Sequence, residues 1–490
     1  MNFLKKIPLF PFLLALFFCL HGVAENFGFI SLSETIKTGC FILLAIVALF
    51  CLLFIFFRNI LFAGLITFFI SLFYLFFGAI QDHLKPFPSL QRYSILVPIL
   101  FVGITGAIIF FRKRFALQQK FTLYLNLLLL IYCFYDSVSL IIKYNTKTTL
   151  NKNIAFNYDV IQQKPNVYFL LFDEYPGYQS LQDSFGFKND KFYEALKFQH
   201  FEQMPIFSNY SATAYSMSSI FNMQYIPLVK KKELNNEQRL LQERYKEIKN
   251  GLVFNIFQKL GYSVNSFSIF DVQDHESLGS SSFVLGHTRL LTDKLFHNRF
   301  IKDLGWILVT GKKSMVFFQK IYFGDIKEYN NKVTENLLKL VNKKENVPQF
   351  TYCHFLLPHQ PYFYDSVGNS NSIINLESDS ILRNKSLFLS YLKYSNKKII
   401  GLTEAIISKD SQAVIILMSD HGFRYYNSKE FCSYNYNNFC AIRYPEKKLN
   451  PLKKQFSNVN LFRHIFNEIF NQHSVFLKDS INFTTAAAEN

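Results

Sequence analysis

The chain opens with long apolar runs separated by short polar connections and changes character near residue 145. Five stretches are apolar almost throughout: Ile7–Val23, Cys40–Phe57, Leu61–Ile80, Ser94–Phe111 and Phe121–Ile142. Each approaches the length of about 20 residues that a helix needs to cross the hydrocarbon core of a bilayer. Their interiors carry almost no formal charge, with Asp136 the exception. A core helix of a soluble domain rarely runs so far without charge, so the pattern predicts about five spanning helices within residues 1–145.

Residues 146–165 are polar with little periodicity and are expected to form a linker. A different pattern then begins. Asn166–Phe172 is a continuous apolar run, as in a strand buried on both faces, and it ends abruptly in Asp173-Glu174. Helices are predicted over 189–200, Gly251–Leu260, Leu392–Ile407 and Asn458–Asn471, and strands over Tyr262–Phe270, Phe350–Leu357 and Ala413–Met418. Such alternation predicts an α/β domain over 166–475, with a mostly parallel central sheet flanked by helices. Residues 476–490 are expected to be a tail. Ligands of such sheets bind beyond the carboxyl ends of the strands. Asp173 and Glu174, His359, and Asp420 with His421 each follow a different predicted strand.

Charge adds a direction. The net charge is +17, but no dense basic run accompanies it, so nucleic acid is not an expected partner. Lys5, Lys6, Arg58, Arg112-Lys113-Arg114 and Lys120 fall on one side under a five-span count, whereas the first connection holds Glu25 and Glu34 against Lys37. Basic connections stay in the cytoplasm, so the N-terminus is expected inside and everything after residue 145 outside. The small residues Gly22-Val23-Ala24 also permit the first span to be a cleaved signal peptide, which leaves the second half outside as well. An oxidising compartment would permit a Cys432–Cys440 bridge. No CxxC pair suggests a cysteine metal site.

Four segments offer chemistry. Ser419-Asp420-His421-Gly422 brings a carboxylate and an imidazole to a strand end, where they can bind a divalent ion or simply cap a turn. Asp173-Glu174 supplies hard oxygen ligands, and adjacent carboxylates after a buried strand are costly without a cation. Asn209–Phe221 follows a short strand-like run, Met204–Ser208, and is rich in hydroxyls at the start of a helix-like stretch. Such a hydroxyl can be a nucleophile or an ordinary cap. His359 stands beyond a strand and could hold an ester oxygen, whereas His354, within the strand, fits a core histidine better.

In type and order these segments resemble the alkaline phosphatase/sulfatase superfamily over roughly residues 165–425. Five spans before such a domain is the layout of phosphoethanolamine transferases and lipoteichoic acid synthases. Thr213-Ala214-Tyr215-Ser216 looks like the nucleophile segment of the phosphoethanolamine transferases. The resemblance implies Thr213 as nucleophile and metal-bound residue, Glu174, Asp420 and His421 as metal ligands joined by Asp173, and His359 as substrate-binding. It implies zinc, with manganese second, one or two ions being open because no histidine lies between His421 and His464. No Cys/Ser-x-Pro/Ala-x-Arg run lies near Thr213, which argues against formylglycine chemistry, and Asn209 and Ser219 replace the transferases' cysteines. The expected protein is a metal-dependent hydrolase or phosphotransferase of the bacterial inner membrane, with its catalytic domain on the periplasmic side. Its expected substrate is an ester of a membrane lipid or envelope polymer. Two alternatives stay open: an inactive scaffold on the same fold, and a sulfate-ester hydrolase using an unmodified hydroxyl.

Overall fold

The apolar runs do form helices, and the alternating half does form a layered sheet. The computed structural model describes residues 2–27, 30, 32–84, 86–145, 156–161, 163–227, 237–278, 289–301, 316–343, 345–371, 384–424, 433–444 and 455–481. The chain divides into two units, Met1–Thr148 with Leu285–Leu308, and Thr149–Val284 with Val309–Asn490.

The first unit holds α1 (Asn2–Lys6), α2 (Phe10–Glu25), α3 (Leu32–Phe57), α4 (Ile60–His83), α5 (Tyr93–Phe111) and α6 (Phe115–Asn145). Helices within α3, α4, α5 and α6 are long and apolar enough to cross a membrane. The expected first span is shorter: α2 has 16 residues, which at 1.5 Å per residue reach about 24 Å, against a hydrocarbon core of about 30 Å. Pro8 lacks a backbone N–H and sits in the break between α1 and α2. The buried amide of Asn126 on α6 closes that break, accepting from Phe10 N at 2.7 Å and donating to Leu4 O and Ile7 O at 2.9 Å each.

Further along the pair, Cys133 reaches Leu13 O, Asp136 meets His21 at 3.2 Å, and Lys143 donates to Ala24 O. The contacts climb both helices in the same order, so α2 runs parallel to α6. Three helices lie between them in sequence, and parallel ends are what five alternating passes require. Phe41, Phe56 and Phe134 are more than 70 % exposed, an outward apolar face suited to lipid.

Leu285–Leu308 was expected inside the α/β domain and instead belongs to the helical unit. Asp82 near the end of α4 pairs with Arg299 at 2.6 Å and with Lys294. Gly78 N donates to Lys294 O at 2.8 Å, and a Cβ on Gly78 would come within 2.8 Å of the Lys294 backbone. Phe296 packs edge-on against Phe77 at 4.9 Å. Its apolar positions suit a soluble core equally well, so the pattern alone could not separate the two locations.

In the second unit, β1 (Val167–Phe172), β2 (Phe201–Gln203), β4 (Ser263–Phe267), β5 (Gln349–Phe355), β6 (Val414–Met418) and β7 (Cys440–Arg443) form one sheet in the order β2-β7-β6-β1-β5-β4. The neighbours from β6 to β4 are parallel, and β7 is antiparallel to both β6 and β2. A two-stranded sheet pairs β3 (Ile206–Phe207) with β8 (Phe456–Ser457). All six residues of β1 are buried, and each large apolar side chain gains about 1.5–3 kcal/mol by leaving water. Rings of Phe221 and Phe462 meet Phe169, and Phe257 stacks on Phe350 at 4.0 Å. These contacts place the helices Thr213–Asn222, Leu252–Lys259 and Leu461–Phe470 on one face.

Two boundaries move. Phe156, expected in the linker, packs its ring against Phe466 at 5.4 Å. The expected tail is docked through Ser480, whose carbonyl accepts from Asn209 Nδ2 at 2.7 Å, while Asp479 accepts from Ser457 N at 2.9 Å. Residues 482–490 and Cys432 lie outside the described residues, and Cys440 is a buried free thiol.

Candidate active site

The parallel core strands end at the same level, and this converges the polar residues. Leu171 of β1 lies beside His354 of β5 and Met418 of β6. Asp173 follows β1, with its N–H bonded to Phe355 O at 2.9 Å, and Asp420 follows β6. Asp173, Asp420 and His421 thereby form a buried trio whose possible ligand atoms all lie within 4.8 Å of one another. His421 Nε2 is 3.1 Å from Asp420 Oδ2 and 3.9 Å from Asp173 Oδ1. Among the described residues, those two buried carboxylate oxygens have no hydrogen-bond partner.

The trio is held by its surroundings. Ser419 Oγ donates to Tyr175 O at 2.6 Å, and Asp420 O accepts from Ser216 Oγ at 2.7 Å and Asn458 Nδ2 at 3.1 Å. Gly422 does not adopt a left-handed backbone. Space is what demands glycine there, because a Cβ would lie 2.1 Å from Tyr434 O and 2.6 Å from Asn437 O.

Thr213 is the first residue of its helix, and Ser216, three residues on, ties that helix to the Asp420 carbonyl. Its Oγ1 lies 3.4 Å from His421 Nε2. The first-turn N–H groups of a helix have no intrahelical partner, so the half-buried hydroxyl stands where an anion is favoured.

Burial raises the proton affinity of Asp173, but the neighbouring His359, His354 and His421 outweigh it and hold the carboxyl well below the usual range. Asp420 is pushed the other way, first by burial and then by the charge of Asp173, with His421, His354 and a hydrogen bond from Thr213 offsetting part of this. Two buried carboxylates competing in this way, each with an unpartnered oxygen, fit a cation.

Glu174 lies outside the trio. Its backbone is left-handed, φ 61°, which is uncommon for a residue with a Cβ and here turns its N–H to Asp420 Oδ1 at 3.1 Å. Its carboxylate accepts from Arg424 N at 3.0 Å and Arg424 Nε at 3.3 Å, and lies 3.7 Å from His359 Nε2. His359 is thus beside Glu174 and Arg424. His354, the core histidine of the sequence reading, brings Nε2 to 3.4 Å from Asp173 Oδ2, while Nδ1 shares a hydrogen bond with the Tyr352 hydroxyl. Register explains this, because period two puts Asp173 on the same face as Leu171, next to His354. Arg424 escaped the sequence reading altogether; its one signal was a cation four residues beyond Asp420.

The family described as Sulfatase matches residues 181–462, more than half of the chain. The chain belongs to the Sulfatase family. The matched span of this Sulfatase-family chain contains Thr213, His354, His359, Asp420 and His421, and it bears out the resemblance to the wider superfamily. Several solved structures are similar at low identity. The C-terminal periplasmic domain of EcEptC from Escherichia coli, in complex with Zn, is 10 % identical with a TM-score of 0.40, covering 64 % of this chain and 84 % of that one. The corresponding domain of phosphoethanolamine transferase EptC from Campylobacter jejuni is 14 % identical with a TM-score of 0.36, covering 66 % and 94 %. A protein in the alkaline phosphatase superfamily from Vibrio parahaemolyticus is 14 % identical with a TM-score of 0.37, covering 65 % and 72 %. No curated protein matches the chain. Likeness this distant leaves the function to be read from the residues themselves.

Proposed function

We propose that this protein is a membrane-anchored, metal-dependent enzyme that cleaves or transfers phosphate esters of the cell envelope through Thr213. The observation that supports this best is the convergence of Asp173, Asp420 and His421, with His421 Nε2 3.4 Å from a hydroxyl at a helix N-terminus and, among the described residues, an unpartnered oxygen on each carboxylate. Asp173, Asp420 and His421 would hold the cation, and zinc suits a mixed imidazole and carboxylate set best, with manganese second. Bound there, it would neutralise phosphoryl charge and lower the pKa of a nearby hydroxyl.

The chain's own residues do the rest. Thr213 Oγ1 bonds to phosphorus as the ester's P–O bond breaks, and the departing oxygen takes up the proton that the hydroxyl gives up. Water, or an acceptor hydroxyl in a transferase, then displaces Thr213 and restores its proton. Helix N–H groups orient the anion, and Ser216 keeps the helix start beside Asp420. The basic connections favour a cytoplasmic N-terminus, and the parallel course of α2 and α6 supports an odd count, with the α/β unit on the periplasmic side of an inner membrane.

Turnover of matched phosphate and sulfate esters by the detergent-purified protein tests this reading. Thr213→Ala is expected to lose turnover on the order of 10³-fold or more, and mass spectrometry should find a phosphorylated Thr213 in the native protein. Unchanged turnover in Thr213→Ala would overturn the mechanism, and preference for the sulfate ester would replace the substrate.

A further inference from the structure

The sequence left the number of metal ions open, and the surroundings of Glu174 bear on it. A buried carboxylate and an imidazole 3.7 Å apart are the beginnings of a second cation site. Here a guanidinium already lies against both, with Arg424 Nε 3.3 Å from Glu174 Oε1 and Nη2 3.3 Å from His359 Nε2. His359 Nδ1 lies 2.6 Å from Gln360 O, and a carbonyl can only accept, so Nδ1 carries the proton. In the neutral ring Nε2 then offers a lone pair, and Arg424 donates to it. The lone pair a metal would take is engaged by a permanently charged donor. The left-handed backbone of Glu174 keeps its carboxylate on this side, with its N–H on Asp420.

We infer that Arg424 stands in for a second metal ion. The centre takes one divalent cation on Asp173, Asp420 and His421, and the Arg424 guanidinium, oriented by Glu174 and His359, binds the anionic group of the ester. This rests on the proposed ester chemistry. Glu174 is then a positioning residue rather than a metal ligand. The Arg424 side chain is 32 % exposed while the Glu174 side chain is 2 % exposed, so the arginine is anchored from inside and presents part of its surface outward. A planar fork of donors suits phosphoryl oxygens, which a surface lysine would hold less specifically.

The test is zinc per chain by elemental mass spectrometry on the full-length detergent-solubilised protein after equilibration in buffered zinc, together with inorganic phosphate binding. The wild type, Arg424→Ala and Glu174→Gln should each hold one zinc, and Asp420→Asn should hold little. Phosphate affinity should fall roughly tenfold or more in Arg424→Ala and recover partly in Arg424→Lys. A smaller fall is expected in Glu174→Gln. Two zinc ions in the wild type, loss of zinc in Glu174→Gln, or unmoved phosphate affinity in Arg424→Ala would each overturn the inference. Absence of zinc from the wild type would overturn the underlying metal reading as well, which separates the two failures. Should Arg424→Ala not fold, Arg424→Gln carries the same comparison.

Discussion

The two units use the same apolar residues in opposite directions. In the helical unit Phe41, Phe56 and Phe134 face outward, whereas in the α/β unit every side chain of β1 is buried. Polar groups follow the reverse logic. Asn126 in the helical unit is buried to satisfy backbone at a helix break. Asp173 and Asp420 are buried with oxygens left unpartnered. A buried polar group that completes its bonds is structural, and one that does not invites a ligand. That difference separates Asn126 from the Asp173–Asp420 pair.

The largest expected stability contrast comes from leucine truncation. Leu170→Ala in β1 should cost about 2–5 kcal/mol, because the site is fully buried among strands and helices. Leu44→Ala on the exposed face of α3 should cost about 0.5 kcal/mol or less. Hydrogen exchange of peptides from each unit in detergent checks both, and equal costs would erase the inside-out contrast.

Acid should act on the α/β unit next. Burial pushes the His464 imidazole down to about 4. Its folded pKa lies below the unfolded one, so the unfolded chain binds the proton more readily as pH falls from about 6.5. Stability is therefore complete above that pH and is lost on the way down to about pH 4, by up to about 3 kcal/mol. His464→Leu should flatten the pH dependence of α/β-unit unfolding in that window, and an unchanged slope would assign it to other groups.

Metal should come third. Zinc at a hundred times its dissociation constant should stabilise the α/β unit by about 2.7 kcal/mol, since the cation binds only the assembled trio. Thermal unfolding with zinc and with chelator measures this, and Asp173→Asn should abolish the shift.

What could be read from sequence follows the same division. Apolar periodicity found the long helices of the first unit and the core strands, whose burial on both faces writes a continuous run, as in Val167–Phe172, but it passed over the helix Val316–Val341. It missed the helix Glu237–Lys249, whose sequence is mostly polar, and the antiparallel β7, only four residues long. Strand ends located Asp173, Asp420, His421 and His359. His354 and Arg424 needed the register and the loop after β6, because tertiary placement, not spacing, brings them to the site. Docking of Ser480 was likewise invisible, since its partner Asn209 is 271 residues away in sequence.

The smallest expected effect tests the structural half of the contrast. Asn126 makes three hydrogen bonds to the α1–α2 break, at 2.7 Å and twice at 2.9 Å. Hydrogen bonds between membrane helices average only about 0.6 kcal/mol, because the unfolded helices find other partners in the membrane. Asn126→Leu removes three of them but keeps the volume and adds apolar surface, so a loss of about 1–2 kcal/mol is expected. Exchange should rise in peptides covering Leu4–Phe10 and stay unchanged in those covering β1. Phosphate binding should be untouched, because the amide completes its own bonds and has none left for a ligand. A loss of phosphate affinity in Asn126→Leu would show that buried polar groups of the helical unit also serve the chemistry, and the separation of roles between the two units would fail.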